Sequence, residues 1–433
     1  MLTTVIACFI IGYVLIVFEH QLRLDKTVPA LLMGAICWAF VSLGELPLIN
    51  HLHQPDTLEH VLLHHIGKIA EILIFLLGAM TIVELIDLHK GFAVITNKLK
   101  AGNKMQMLWL ICVLAFFLSS TLDNLAATIV LVSLLRRLVP YKTERLWFVS
   151  FAVIAANAGG AWSPIGDVTT TMLWIGKKVT TVGLITNLVI PSVVCILIPM
   201  LIASFMKIFK GPITQPSHML TLSGKTELVG SSNIMLIAGV LSLIFVPIFK
   251  TITHLPPYVG MMLSLSIMWM ISEYVKPEKN MSVEKKHHYS AHQALSRIEL
   301  PSILFFLGIL LAVGSLESLG VLNQLAETLD TYIPVREAVV IILGVASAII
   351  DNVPLVAAAM GMYTFPTDDS MWHFIAYSAG TGGSMLIIGS AAGVAAMGME
   401  KINFLWYLKN ITWIAFAGFI AGAITFILMN NFF

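Results

Sequence analysis

Two stretches set an aspartate beside an asparagine in the middle of apolar sequence: FFLSSTLDNLAATIVL (116–131), with Asp123 and Asn124, and ASAIIDNVPLVAAAM (346–360), with Asp351 and Asn352. A carboxylate at bilayer depth costs about 2.5–3.5 kcal/mol on insertion scales, so residues of this kind mark function before packing. Two further apolar regions are broken, at NAGGAWSPIGDVTTT (157–171) and SAGTGGSMLIIGS (378–390). Around the four interruptions lie Ser119, Ser120, Thr121, Thr128, Asn157, Ser163, Asp167, Thr169, Thr170 and Thr171, and from later in the chain Ser347, Ser378, Thr381, Ser384 and Ser390. The donors are almost all oxygen. They suit a hard cation such as sodium or lithium and offer no soft ligand for copper or zinc.

Charge narrows the chemistry further. Asp123, Asp167 and Asp351 are acidic, and no lysine or arginine lies within the two Asp-Asn tips or the two breaks. Such a cavity repels a dicarboxylate, citrate or phosphate and attracts a small cation. It also takes up protons, because burial and like-charged neighbours both favour the neutral carboxyl. A site that holds sodium or protons, but not both, is the minimum needed to exchange them. Asp123, Asn124, Asp351 and Asn352 are the expected sodium ligands. Structural alternatives stand beside each reading. Either Asp-Asn pair can cap the helix that follows it, as can Asp167, which has no acidic counterpart later in the chain. The pairs Gly159-Gly160 and Gly382-Gly383 can serve close packing alone. Glu71 and Glu84 are candidates for carrying protons or sensing pH, and a structural pairing of Glu84 is the alternative. The histidines at 51, 53, 60, 64 and 65 read as a solvated loop face.

These residues need elements to bring them together. Of 433 residues 58% are hydrophobic and 11% charged, against about 25% charged in soluble domains. The chain reads as an all-α polytopic membrane protein, since no alternation of barrel type appears. A net charge of +1 argues neither for nor against nucleic acid, and with no basic cluster carrying interleaved aromatics no nucleic-acid partner is expected. Cys8, Cys37, Cys112 and Cys195 all lie in apolar segments and read as small buried residues. Residues 1–18 lack a basic start and a cleavage site and read as a retained first helix. Continuous apolar spans run at 2–18, 28–49, 66–88, 180–206, 231–249, 256–275, 298–316 and 404–430.

The chain also repeats itself. ILIFLLGAMTIVELIDLHKG (72–91) resembles ILFFLGILLAVGSLESLG (303–320), Asp123 aligns with Asp351, and Gly159-Gly160 with Gly382-Gly383. Two copies of one unit, 1–209 and 231–433, are joined by a polar linker at 210–230. If the Asp-Asn regions are re-entrant hairpins and the glycine-rich regions broken but spanning helices, each copy has five crossings, one hairpin and one broken helix. Five is odd, so the second copy is inverted relative to the first. The distribution of basic residues agrees: of 25 lysines and arginines, only Lys68, Lys177, Lys178, Lys250 and Arg336 fall on the side opposite the rest. Both termini are then outside the cytoplasm. The connectors at 91–102 and 320–333 carry apolar residues at helical spacing, Leu322, Leu325 and Leu329 among them, and read either as loop helices or as interfacial arms.

FLLGAMTIVELID (75–87), the doubled Asp-Asn and NAGGAWSPIGDVTTTMLW (157–174) together resemble NhaD-type sodium/proton antiporters. That group lies in the ion-transporter superfamily with arsenite permeases and sodium–dicarboxylate symporters, and the resemblance covers essentially the whole chain. It implies a carrier, not an enzyme, needing no cofactor, that exchanges sodium or lithium for protons across a bacterial inner membrane in the service of pH homeostasis. It implies too a homodimer joined through a scaffold (1–104 and 231–336), against which a transport part (105–209 and 337–433) slides as an elevator. By motif it carries transport roles onto Asp123, Asn124, Asn157, Asp167, Thr169, Thr170, Asp351 and Asn352, and more loosely onto Ser384 and Ser390. The dicarboxylate carriers have a neutral Ser-Asn-Thr at their tips. An oxyanion or dicarboxylate carrier of the same fold is the competing reading.

Overall fold

The computed structural model describes residues 1–18, 22, 24–49, 54–97, 102–213, 228–275, 289–333, 335–349 and 351–432. Most of the 210–230 linker, His51, His53, the end of the 91–102 connector and the basic residues Arg23, Lys98, Lys100, Lys225, Lys276, Lys279, Lys285 and Lys286 lie outside the described residues.

The first half contains α1 (Leu2–Val17), α2 (Thr27–Leu43), α3 (Leu58–Leu88), α4 (Gly91–Thr96), α5 (Lys104–Leu122), α6 (Asn124–Leu138), α7 (Lys142–Gly160), α8 (Val168–Ile175) and α9 (Thr181–Phe205). The second contains α10 (Ser232–Thr253), α11 (Pro257–Tyr274), α12 (Ala291–Arg297), α13 (Leu300–Ser318), α14 (Val321–Tyr332), α15 (Arg336–Ala346) and α16 (Asn352–Met362). It closes with α17 (Ser370–Gly382), α18 (Ala391–Glu400), α19 (Phe404–Asn410) and α20 (Thr412–Phe432). Among the described residues α3, α5, α9, α10, α13 and α20 are long and apolar enough to cross a bilayer, and α1, α2, α6 and α16 are shorter apolar helices.

Several expected spans are redrawn by local chemistry. The span expected to reach residue 49 stops at Leu43, where Gly44 follows and Pro47 prevents resumption; Leu48–Ile49 pairs instead with Pro55–Asp56 as a short antiparallel ladder. α3 begins well before the expected residue 66, because the Thr57 hydroxyl accepts from the His60 N–H and caps a 31-residue helix. The span expected over 404–430 splits at Ile411. There Tyr407, fully buried, donates its hydroxyl to the Ser384 carbonyl at 2.8 Å and holds α19 against the second glycine-rich break. The first hairpin has a long leading arm: α5 is 19 residues, about 28 Å at the helical rise.

Packing follows the repeat. α1 lies on α2 as α10 lies on α11; α2 packs against α13 as α11 packs against α3; α5 packs on α7 as α15 packs on α17; and α9 and α20 pack on each other. The two halves interlock where α6 meets α18 and where α16 meets α8. The broken helices form the centre: Phe148 to Gly160 of α7 and Trp372 to Gly382 of α17 are buried without interruption.

Candidate functional site

The first tip is a turn of one residue. Asp123 ends α5 and caps α6, its Oδ1 accepting the Ala126 N–H at 2.7 Å. Its backbone lies at φ 105°, ψ 161°, a region almost reserved for glycine, so this residue is held against a strain of about 1–3 kcal/mol. The second tip is wider. α15 stops at Ala346, and Asp351 caps α16 through the Val353 N–H at 3.4 Å with ordinary backbone angles.

Each hairpin is fastened to the broken helix of its own half by the same two devices. Ser119 donates to the Ala156 carbonyl at 2.6 Å, and its counterpart Ser347 donates to the Ala379 carbonyl at 3.1 Å. A Cβ on Gly159 would strike the Phe116 carbonyl oxygen, and one on Gly382 would strike that of Gly344. The paired glycines are therefore required where backbone meets backbone, which bears out the packing reading and fixes where the tips can lie.

The breaks are stitched by hydroxyls. Thr170 donates to the Ser163 and Asp167 carbonyls at 2.7 and 2.9 Å, and Thr171 to that of Pro164 at 2.9 Å. Asp167 caps α8 through the Thr169 N–H and hydroxyl, at 2.9 and 2.8 Å from Oδ1. It does more than cap. Asn124 of the first tip donates to its Oδ2 at 2.6 Å, and Asn352 of the second tip donates to both oxygens at 3.3 and 3.4 Å. At the position aligned with Asp167, Ser390 caps α18 through the Gly393 N–H at 3.1 Å. Asn157 spans the two breaks, accepting from Asn124 at 3.1 Å and donating to Ser384 and Ser390, each at 2.9 Å.

Of the ten residues to which the resemblance carries transport roles, Asn124, Asn157, Asp167, Thr169, Thr170, Asn352, Ser384 and Ser390 are buried in one hydrogen-bonded network, while Asp123 and Asp351 are partly buried beside it. Asp167 is 2% exposed and Asn157 wholly buried, and Asp167 lies within electrostatic reach of both Asp123 and Asp351. The roles within the set differ. Asp167 accepts five hydrogen bonds from four donor groups and is committed on both oxygens. The hydroxyls of Thr169 and Thr170 are committed too. With their amide nitrogens turned to Asp167, Asn124 and Asn352 have side-chain carbonyl oxygens that accept no hydrogen bond among the described residues.

One expectation needs correction. Although no basic residue lies in the tips or breaks, Lys26, from the loop before α2, sets its Nζ 2.9 Å from Asp351 Oδ2. Asp351 therefore has a positive partner, whereas Asp123 has no lysine or arginine partner among the described residues and feels Glu299 at the start of α13. No sequence signal pointed to Lys26, because the contact joins residues 325 positions apart. Sequence reasoning also missed Glu400, which is buried at the end of α18. It accepts from Arg136 at 2.6 Å and Arg145 at 2.8 Å, and Arg136 donates as well to the Met399 carbonyl. This fork ties the base of the first hairpin and the start of α7 to the second half.

Other candidates stand apart from the centre. Glu84 pairs with Arg297 at 3.3 Å, and neither it nor Glu71 bonds to the Asp167 network among the described residues. His60 and His64 are exposed, as expected of a solvated face, but His65 is buried, its Nε2 2.8 Å from Ser318 Oγ. The loop turns inward there because α3 begins early and carries this residue against α13.

The sequence matches the citrate transporter family (CitMHS) over residues 13–373. It is 46% identical to sodium/proton antiporter 2 of Arabidopsis thaliana, covering 98% of this chain and 99% of that protein. It is 44% identical to sodium/proton antiporter 1 of the same plant, over 98% of this chain and 72% of that protein. The Na(+)/H(+) antiporter NhaD of Vibrio cholerae is 29% identical over 98% of this chain and 91% of its own length. In fold, the chain is similar to the YdaH transporter of Alcanivorax borkumensis, with a TM-score of 0.60 at 11% identity, covering 94% of this chain and 98% of that one.

Proposed function

The chain belongs to the citrate transporter (CitMHS) family as a sodium/proton antiporter of the NhaD type, and from that premise we propose how its residues carry out the exchange. Sodium or lithium binds between the two tips, on the carboxylates of Asp123 and Asp351 and the side-chain carbonyls of Asn124 and Asn352. Asp167, with Thr169, orients both asparagines, while Asn157, Ser384 and Ser390 fix the breaks behind them. Protons compete for the same tip carboxylates, so each carrier holds metal or protons in turn. The observation that carries this reading is the convergence of Asn124 and Asn352, from opposite halves of the chain, on the one carboxylate of Asp167.

Broken helices with unpaired backbone ends near mid-membrane are the recurring way carriers build such sites. The matched fastenings, Ser119 with Ser347 and Gly159 with Gly382, support two copies of one unit. With the basic-residue distribution they support an inverted arrangement of five crossings and one hairpin each, with both termini outside the cytoplasm. The membrane in this reading is a bacterial inner membrane. In this reading 1–104 and 231–336 form a scaffold through which two copies dimerise, and 105–209 with 337–433 move against it. Glu71 and Glu84, both in the scaffold, are left to a peripheral role in pH response. The competing substrate class, an oxyanion or dicarboxylate, meets three aspartates and Glu299 against one lysine, a balance that still repels anions.

Reconstitution into proteoliposomes with an internal pH dye tests the proposal. Sodium or lithium is expected to dissipate a preset pH gradient, and Asp351→Asn to abolish the response. Accumulation of succinate or arsenite with no effect of sodium alone would overturn it.

A further inference from the structure

Lys26 is the one described cation paired with a tip carboxylate, and the fold shows where it is anchored. Its neighbour Thr27 donates to the Pro301 carbonyl at 3.0 Å, and its own ammonium lies 4.5 Å from the centre of the Phe305 ring. Asp25, just before it, accepts the Thr27 N–H at 2.8 Å and closes the turn. Lys26 is thus fixed to α2 and α13, both scaffold, while Asp351 belongs to the moving part. The contact is half-buried, with side-chain exposures of 23% and 13%.

Position adds direction. Lys26 and Pro301 mark one end of the paired helices α2 and α13. By the basic-residue distribution that end faces the cytoplasm, and the first tip feels Glu299 at the same end. The second hairpin also packs along α13 and α14, whereas α6, its counterpart in the first half, has no packing of that extent on α3 or α4 among the described residues. The moving part therefore lies toward the cytoplasmic end, with its second tip clasped there.

We propose that Lys26 is a coupling residue: in the carrier facing the cytoplasm without its ion, the Lys26 ammonium occupies Asp351 and ties the moving part to the scaffold, and sodium ligation by Asp351 displaces it and frees that part to cross. This rests on the antiport and elevator reading above. The tie forbids movement of the empty carrier, and that movement is what would let sodium run downhill without exchange. Lys26 touches no transported ion in this scheme; it acts through Asp351. A lysine suits the task, being a compact point charge on a flexible stem that releases a carboxylate without breaking a bidentate fork.

The test uses the purified full-length chain in proteoliposomes, with radioactive sodium efflux and proton entry followed in the same vesicles. Lys26→Gln is expected to keep sodium/sodium counterflow near the wild-type rate. Its protons moved per sodium should fall about tenfold, the weight of one partly buried ion pair on the empty-carrier equilibrium. Lys26→Arg, which keeps the charge, should keep the wild-type ratio. A wild-type ratio in Lys26→Gln overturns the inference, and so does loss of its counterflow, which would make Lys26 part of binding or folding. No sodium-driven proton flux in the wild-type protein brings down the antiport reading and this inference together. Coupled wild-type exchange with an unchanged Lys26→Gln ratio brings down the inference alone.

Discussion

Asp123 and Asp351 occupy equivalent tips, yet their surroundings differ in almost every respect. The first sits in a one-residue turn at φ 105° between arms of 19 and 15 residues and has no lysine or arginine partner among the described residues. The second closes a wider turn between two arms of 11 residues, has relaxed backbone angles, and is held by Lys26 from the loop before α2. Their asparagine neighbours do the same thing, donating to Asp167. A repeated dipeptide thus fixes the shared hydrogen bonding to Asp167, while the flanking chain decides which tip is strained and which is held from outside. In the mechanism we propose, the first is the half of the site that keeps its partners, and the second is the half that exchanges Lys26 for sodium.

Four sets of substitutions would break or sharpen this contrast. The largest effect is expected from Asp123→Asn and Asp351→Asn, each lowering sodium-driven proton flux by roughly 100-fold or more, since in the proposed mechanism each removes a charge on which metal and protons compete. Flux assays on both should give equal loss; survival of exchange in one would show that a single tip suffices. Next comes Asp167→Ala, which leaves Asn124, Asn352 and Thr169 without their acceptor. Removing one partner of a buried charged network costs about 3–5 kcal/mol, read as a lower melting temperature in detergent together with lost transport. The third is the pair Gly159→Ala and Gly382→Ala. A Cβ at either place meets a carbonyl of the adjoining hairpin, and overpacking of this kind costs about 1–3 kcal/mol; similar losses of thermal stability are expected, and very unequal ones would break the equivalence of the halves. The smallest is Asp123→Gly against Asp351→Gly. Only the first relieves a strained backbone, so it should be the more stable of the two by about 1 kcal/mol in thermal unfolding, with exchange lost in both.

Much of the site was legible because each part carries its own local signature. Asp-Asn inside apolar sequence, the two glycine pairs and the run of hydroxyls after Asp167 announce interrupted helices, and internal repetition announces that they meet. Helix ends were less legible. Thr57 and Tyr407 redraw α3 and α19 through a cap and a tertiary hydrogen bond, neither of which alters hydropathy. The hub role of Asp167 was hidden because an N-cap and a network centre require the same residue type. Lys26 and Glu400 were beyond reach: both act across hundreds of residues, and a lysine before a helix or a glutamate at the end of one is unremarkable in isolation. Lys26 also shows the limit of judging charge by segment, since a long side chain from one loop can neutralise a carboxylate on another element.

Asp123 carries a consequence for how this chain changes over generations. Its φ of 105° and ψ of 161° suit glycine, so a drift from aspartate to glycine would ease folding while silencing the tip. At this single position the backbone favours glycine while the cap on Ala126 needs the carboxylate, so ease of folding and the side chain's own contact pull in opposite directions.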